Sequence, residues 1–210
     1  MRGRFITFEG GEGCGKSTQV ERLKEALKER GIEVLLTREP GGTRLSEQIR
    51  TLLKDEDLDP PCARAELLLF LSARAQLVEK VILPALSKGI WVVSDRFSDS
   101  TKAYQGYGRG FDLSLIDTAN SFACSNLKPD LTLFLDVSVE VSNLRMRKRE
   151  LQTNTSADRI ERAGDSFHNR LRRGFLEMAE AEPERIVKID ASASVDEVWE
   201  DVWKQVRRFL

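Results

Sequence analysis

Short β-rich apolar runs alternate along this chain with longer stretches in which apolar residues return every third or fourth position. The short runs predict strands at Arg4 to Glu9, Glu33 to Thr37, Ile90 to Ser94, Asp130 to Asp136 and Arg185 to Ile189. The longer stretches predict helices at Lys16 to Arg30, Arg44 to Leu53, Ala63 to Ser87, Leu113 to Ser125, Val139 to Arg149, Asp158 to Ala181 and Val195 to Phe209. Gly31, Gly89 and Pro129 stand where helices should stop, and Pro84 is expected to bend the last turn of the third helix. Strands alternating with helices in this order predict an α/β fold: a five-stranded parallel sheet flanked by helices on both faces. Only ELQTNTSA, Glu150 to Ala157, reads as a mobile loop. Val195, Val198, Trp199 and Val202 form a stripe on the last helix that is expected to pack in the core.

Composition narrows the picture. A chain of 210 residues, 40% apolar, is expected to form one domain over 1–210. Lysine and arginine total 33 against 34 acidic residues, so no bulk charge would hold the protein on nucleic acid or an anionic membrane. The longest apolar run, Leu67 to Leu71, is far shorter than the roughly 18 residues of a membrane span. The first residues, MRGRFITF, lack the apolar core of a signal peptide, and a cytoplasmic protein is expected. The three cysteines, Cys14, Cys62 and Cys124, lie too far apart for a zinc site and read as reduced, structural thiols.

Chemistry enters with FEGGEGCGKST, Phe8 to Thr18. Gly10, four intervening residues, then Gly15-Lys16-Ser17 follow a predicted strand and open a predicted helix, the context that identifies a phosphate-binding loop. Residues Gly10, Gly11, Glu12, Gly13, Cys14, Gly15, Lys16, Ser17 and Thr18 are therefore expected to cradle ATP. Backbone N–H groups and the helix start would face the phosphates, Lys16 would reach the β- and γ-phosphates, and Ser17 would bind Mg²⁺. Asp95, ending the apolar strand WVVSD, is placed as the second Mg²⁺ element, and Arg96 directly after it points to a second anion beside ATP; a strand-end ion pair is the plainer alternative. NLKPD, Asn126 to Asp130, lacks the spacing of a guanine-reading motif, which weakens a GTPase reading.

Together with TREPGGT (Thr37 to Thr43), LFLSARAQ (Leu69 to Gln76), DRFSDSTKAYQG (Asp95 to Gly106) and DRIE (Asp158 to Glu161), these residues closely resemble the thymidylate kinase family, from first strand to last helix. The resemblance implies the P-loop nucleoside-monophosphate kinase fold, transfer of the γ-phosphate of ATP to dTMP with Mg²⁺, and a homodimer packed through helices. It implies that Arg38 and Arg96 hold the dTMP phosphate, and that Phe70 stacks on the base beside an Arg74 that donates to its O4. By periodicity alone Phe70 would be core. The resemblance also implies that Thr101 and Gln105 meet the polar edge of thymine, Tyr104 crowds the sugar 2′ position, and Glu12 faces the 3′-OH.

Arg145 to Arg173 contains nine basic residues against four acids, bracketing the polar stretch. The phosphate loop carries no arginine, so the resemblance implies a lid at about 145–160 whose arginines stabilise the transferring phosphoryl group. Arg149 is the first candidate, Arg147 the second and Arg145 the third; otherwise these are solvated helix charges. Arg159 is expected on the lid side of ATP, Glu161 toward the acceptor, and adenine near Asp190 to Ser192. Gly106, Gly108 and Gly110 read as shaping a turn, and His168 as a surface or structural residue. A deoxynucleoside kinase or another nucleoside-monophosphate kinase is the alternative within enzymes, and an ATP-driven phosphate-loop switch is the alternative outside them.

Overall fold

The structure, a computed structural model, describes residues 2–55, 57–153 and 162–210. Its strands are β1 (Phe5–Glu9), β2 (Val34–Arg38), β3 (Trp91–Asp95), β4 (Leu131–Asp136) and β5 (Ile186–Asp190). They pair in parallel in the order β2-β3-β1-β4-β5. Each lies within one residue of its expected position; the central strands β1, β3 and β4 are buried along nearly their whole length, and their mostly apolar runs mark their limits.

Both faces are covered, as the alternation requires. Helix α1 (Lys16–Lys28) buries Val20, Leu23 and Leu27, and α9 (Val195–Val206) buries Val198, Val202 and Val206. They pack on Ile6, Phe8, Leu131, Leu133 and Leu135. Val195 is exposed, outside the expected stripe, because it opens α9 just after a capping box formed by Ser194 and Glu197. The opposite face holds Phe5, Val92 and Phe97 against Leu77 and Ile82, and Phe134 against Phe167, Leu171 and Phe175. The helices on that side are α2 (Arg44–Lys54), α3 (Ala63–Leu77), α6 (Leu113–Ala123) and α8 (Asp165–Ala181).

Three expectations change. The long third helix is not uniform: α3 passes through a π-helical turn, Val78–Ile82, into α4 (Leu83–Ser87). Pro84 has no N–H to bond the preceding turn, and a widened turn just before it absorbs the mismatch. Helix α7 spans Val139–Thr153, so Glu150 to Thr153 continue the helix instead of starting a loop. Third, a short helix α5 (Ser98–Thr101) runs into a π-helix, Lys102–Gly108, where no regular element was expected. Its aromatics and glycines favour helix poorly, and packing on α8 compensates. A Cβ on Gly108 would lie 2.6 Å from the Phe167 ring, and one on Gly174 would lie 2.5 Å from Tyr107. Gly106 and Gly108 therefore permit close packing inside a helix; only Gly110 takes the left-handed turn, at φ 81°. Among the described residues no helix is long and apolar enough to cross a membrane.

Candidate active site

The parallel register brings the carboxyl ends of three strands together. Phe8 lies beside Asp95, and Asp95 beside Arg38, so the loops leaving β1, β2 and β3 meet where the strand order reverses. A cavity of about 640 Å³ opens there. Glu12, Lys16, Ser17, Arg38, Phe70, Arg74, Asp95, Arg96, Thr101, Tyr104 and Gln105 all line it.

The glycine loop is shaped by close approach as well as by turning. Gly10 has φ 138°, and a Cβ there would meet the Leu135 carbonyl oxygen at 2.6 Å. Buried Lys16 donates through Nζ to the carbonyls of Gly10 at 3.2 Å and Gly11 at 2.9 Å, which holds the ammonium inside the loop. Cys14 is buried beneath it, Cys124 is also buried, Cys62 is exposed, and all three are free thiols. Ser17 Oγ donates to Asp95 Oδ2 at 3.3 Å, while Asp95 Oδ1 is buried without a hydrogen-bond partner. One hydroxyl beside an orphaned carboxylate oxygen suits a hard cation completed by water and phosphate oxygens, so the pair fits Mg²⁺.

Arg96 is held in the left-handed region at φ 73°. Its guanidinium donates to Gly10 O at 2.9 Å and Ser100 Oγ at 3.3 Å, pairs closely with Glu12 Oε1, and lies over the Tyr104 ring. Tyr104 also donates to Glu12 Oε1, at 3.2 Å. Burial would raise the Glu12 carboxyl, but Arg96 and Lys16 outweigh it and hold the group down at about 2. Desolvation alone would lower Arg96, yet Glu12 keeps it well above its ordinary value.

The turn carrying Arg96 is fixed from β1 by a fully buried carboxylate. Glu9 Oε1 accepts from Phe97 N at 2.7 Å and Ser100 N at 3.3 Å, and Oε2 accepts from Ser100 Oγ at 2.6 Å. Burial, reinforced by Asp99, raises its pKa from 4.5 to about 8. A folded-state pKa above the unfolded value means that this contribution to stability is complete below pH 4.5 and is lost as pH rises through about 8. Glu9→Gln should therefore gain relative to wild type between pH 5 and pH 8 in urea unfolding. A stability gap that does not change with pH would contradict this.

At the other end of the cavity, Arg74 is fully buried on α3. Its Nε and Nη2 bond Glu39, Nη1 donates to Thr101 Oγ1 and Asn120 Oδ1 at 2.8 Å each, and Nη2 also donates to Phe97 O at 3.0 Å. All five N–H groups are thus engaged by the protein, and a base oxygen would have to share one of them. Phe70, one turn earlier on α3, is partly buried at the cavity wall. Glu39 pairs with Arg74 and not with Arg38, which instead bonds Glu47 of α2 at 3.1 Å.

Helix α7 borders the loop. Ser142 Oγ donates to Glu12 O at 2.6 Å, and a Cβ on Gly13 would sit 2.9 Å from Ser142 O. Arg145 and Arg149, four residues apart and on one helix face, line the cavity; Arg145 also donates to Ala191 O at 2.8 Å, beside the expected adenine region. Arg147, half a turn away, is exposed and does not line it. Helical phase therefore removes the second lid candidate from the cavity. The distal part of the expected lid, with Arg159 and Glu161, lies outside the described residues. His168 is buried, edge-on to Phe167 at 5.6 Å between ring centroids.

The family model described as thymidylate kinase matches residues 8–202. The chain belongs to the thymidylate kinase family. Thymidylate kinases of Pelobacter propionicus (46% identical over 205 residues, covering 97% of this chain and 94% of that one) and Geotalea daltonii (48% over 197 residues, covering 93% and 92%) are among its relatives. A crystal structure of thymidylate kinase from Ehrlichia chaffeensis superposes with a TM-score of 0.76 at 38% identity, covering 98% of this chain and 99% of that one. The fold is accordingly that of the P-loop nucleoside-monophosphate kinases. Against this thymidylate kinase frame, sequence reasoning passed over four side chains that hold the site together: Glu9, Glu39, Ser142 and buried Glu66 of α3, which accepts from Gln105 Nε2 at 3.0 Å. Glu9 carries a legible signal, a carboxylate closing an otherwise apolar strand directly before the glycine loop. The others depend on contacts far apart in sequence.

Proposed function

We propose that this chain transfers the γ-phosphoryl group of ATP to dTMP, giving dTDP and ADP. The observation that carries this reading is one cavity holding a P-loop at one end, a buried aromatic and amide slot at the other, and Arg96 between them. The loop's N–H groups and Lys16 hold the β- and γ-phosphates of ATP. Ser17 and Asp95 hold Mg²⁺, which when bound screens phosphate charge and orients the transferring group. Arg38 and Arg96 grip the dTMP phosphate; their planar forks match its oxygens better than an ammonium would. Phe70 stacks on thymine, Arg74, Thr101 and Gln105 meet its polar edge, and Tyr104 fills the space a 2′-hydroxyl would need. Glu12, an acceptor only, faces the 3′-OH. Arg149 closes over the transferring group as part of a lid at about 145–160, with Arg145 on the same face.

A coupled assay of ADP formation with dTMP, dUMP, dCMP, dAMP, UMP and thymidine tests this directly. Phosphorylation of thymidine but not dTMP, or slow hydrolysis indifferent to every acceptor, would overturn it. Within the same assay Glu12→Ala should raise KM for dTMP or lower kcat with little change in ATP affinity. Because Glu12 stays ionised above about pH 2, its removal should leave the shape of the pH profile near neutrality unchanged.

The chain acts as a cytoplasmic homodimer. Leu68 on α3 and Leu115 and Phe122 on α6 are exposed apolar side chains on two helices in contact, and Phe122 is 89% accessible. Phe122→Glu should convert the dimer to monomer in sedimentation; a wild-type chain sedimenting as a monomer would refute the dimer.

A further inference from the structure

At the base end Arg74 can only donate, whereas Gln105 has no hydrogen-bonding sense fixed by its own chemistry. Gln105 is buried at the cavity wall, and a primary amide can present either a donor or an acceptor. Glu66 removes the choice. It lies one turn before Phe70 and two before Arg74 on α3, is 1% exposed, and accepts from Gln105 Nε2 at 3.0 Å. A carboxylate offers no proton, so it draws the amide nitrogen toward itself and leaves the amide oxygen for the cavity. Arg109 fixes the carboxylate in turn, donating through Nε at 3.3 Å and Nη2 at 3.1 Å, with its guanidinium 5.3 Å from the centre of the Phe167 ring.

We infer that Glu66 is a positioning residue for substrate selectivity: it locks Gln105 with its carbonyl oxygen toward the base, so the pocket favours a pyrimidine with an N3–H donor over one with a bare N3 acceptor. This rests on the dTMP reading above. Thymine and uracil carry the N3 proton, whereas cytosine would set its N3 lone pair against the amide oxygen. A site that hydrogen-bonds a substrate group rejects the analogue lacking it far more strongly than a site that only fits its shape.

The test measures kcat/KM for dTMP, dUMP and dCMP with wild type, Glu66→Gln and Gln105→Met. Glu66→Gln replaces an obligate acceptor with a group that can also donate, which frees Gln105 to turn. The ratio of dTMP to dCMP turnover should fall about tenfold or more, with most of the change in KM. Gln105→Met keeps the length without the acceptor and should lower the ratio similarly, so the inference stays testable if the buried Glu66 variant folds poorly. A purely structural role for Glu66 would depress both substrates in parallel; an unchanged ratio in the folded variants overturns the inference. Wild type that fails to phosphorylate dTMP overturns the functional reading itself, which separates the two failures.

Discussion

Arg96→Ala should lower kcat/KM for dTMP by about 10³-fold or more while the protein stays folded. The side chain has two duties in this geometry. It supplies a guanidinium in the cavity beside the glycine loop, where it can meet the charge that builds on the equatorial oxygens during transfer. It also neutralises Glu12, to which it is paired inside the crevice. Without it Glu12 loses the cation that most offsets its burial, and an uncompensated carboxyl is left in the crevice beside Lys16. Arg96 sits at φ 73°, and alanine has the same Cβ and the same left-handed cost, so backbone strain is unchanged and any loss of stability comes from the broken pair with Glu12 and the bonds to Gly10 O and Ser100 Oγ. Arg96→Lys should recover only a small part of the rate, since one ammonium cannot bond Gly10 O, Ser100 Oγ and Glu12 together. Steady-state kinetics with each substrate varied, alongside circular dichroism, settles the point. Near-wild-type turnover in Arg96→Ala would remove this residue from the mechanism.

The fold was legible because its signals are local. Each strand announces itself by a short β-rich stretch, and the glycine loop by its spacing between strand and helix. The phosphate end of the cavity was readable for the same reason: Lys16, Ser17, Asp95 and Arg96 occupy strand ends and a loop whose geometry follows from their own neighbourhoods. What escaped was set by long-range packing. The helix from Ser98 to Gly108 has poor local propensity and exists because α8 offers Phe167 to Gly108 and Gly174 to Tyr107. The phase of α7, which turns Arg145 and Arg149 inward and Arg147 outward, is fixed where Ser142 meets the loop. The partners of the charged residues were the least visible. Arg38, the last residue of β2, stands next to Glu39 in sequence yet bonds Glu47 of α2, while Glu39 bonds Arg74 of α3.

Glu39 leads to the largest expected loss of stability. Arg74→Leu should destabilise the fold by about 3–5 kcal/mol in urea unfolding, the usual result of removing one member of a buried ion pair. The damage comes from what is left behind. Glu39 is buried, its carboxyl already raised by desolvation that Arg74 only partly offsets. Thr101, Asn120 and the Phe97 carbonyl lose their donor at the same time. Removing both charges in Arg74→Leu/Glu39→Leu should therefore be less harmful than removing Arg74 alone, because two well-packed apolar side chains leave no ion to desolvate. The double variant also separates structure from recognition. If Arg74 serves only to order the wall of the base site, restoring stability should restore most of the affinity for dTMP. If one of its five N–H groups is shared with the base, the refolded double variant should still show a raised KM for dTMP with ATP affinity intact. A single Arg74→Leu variant costing less than about 1 kcal/mol would show that the buried pair is not the anchor its geometry describes.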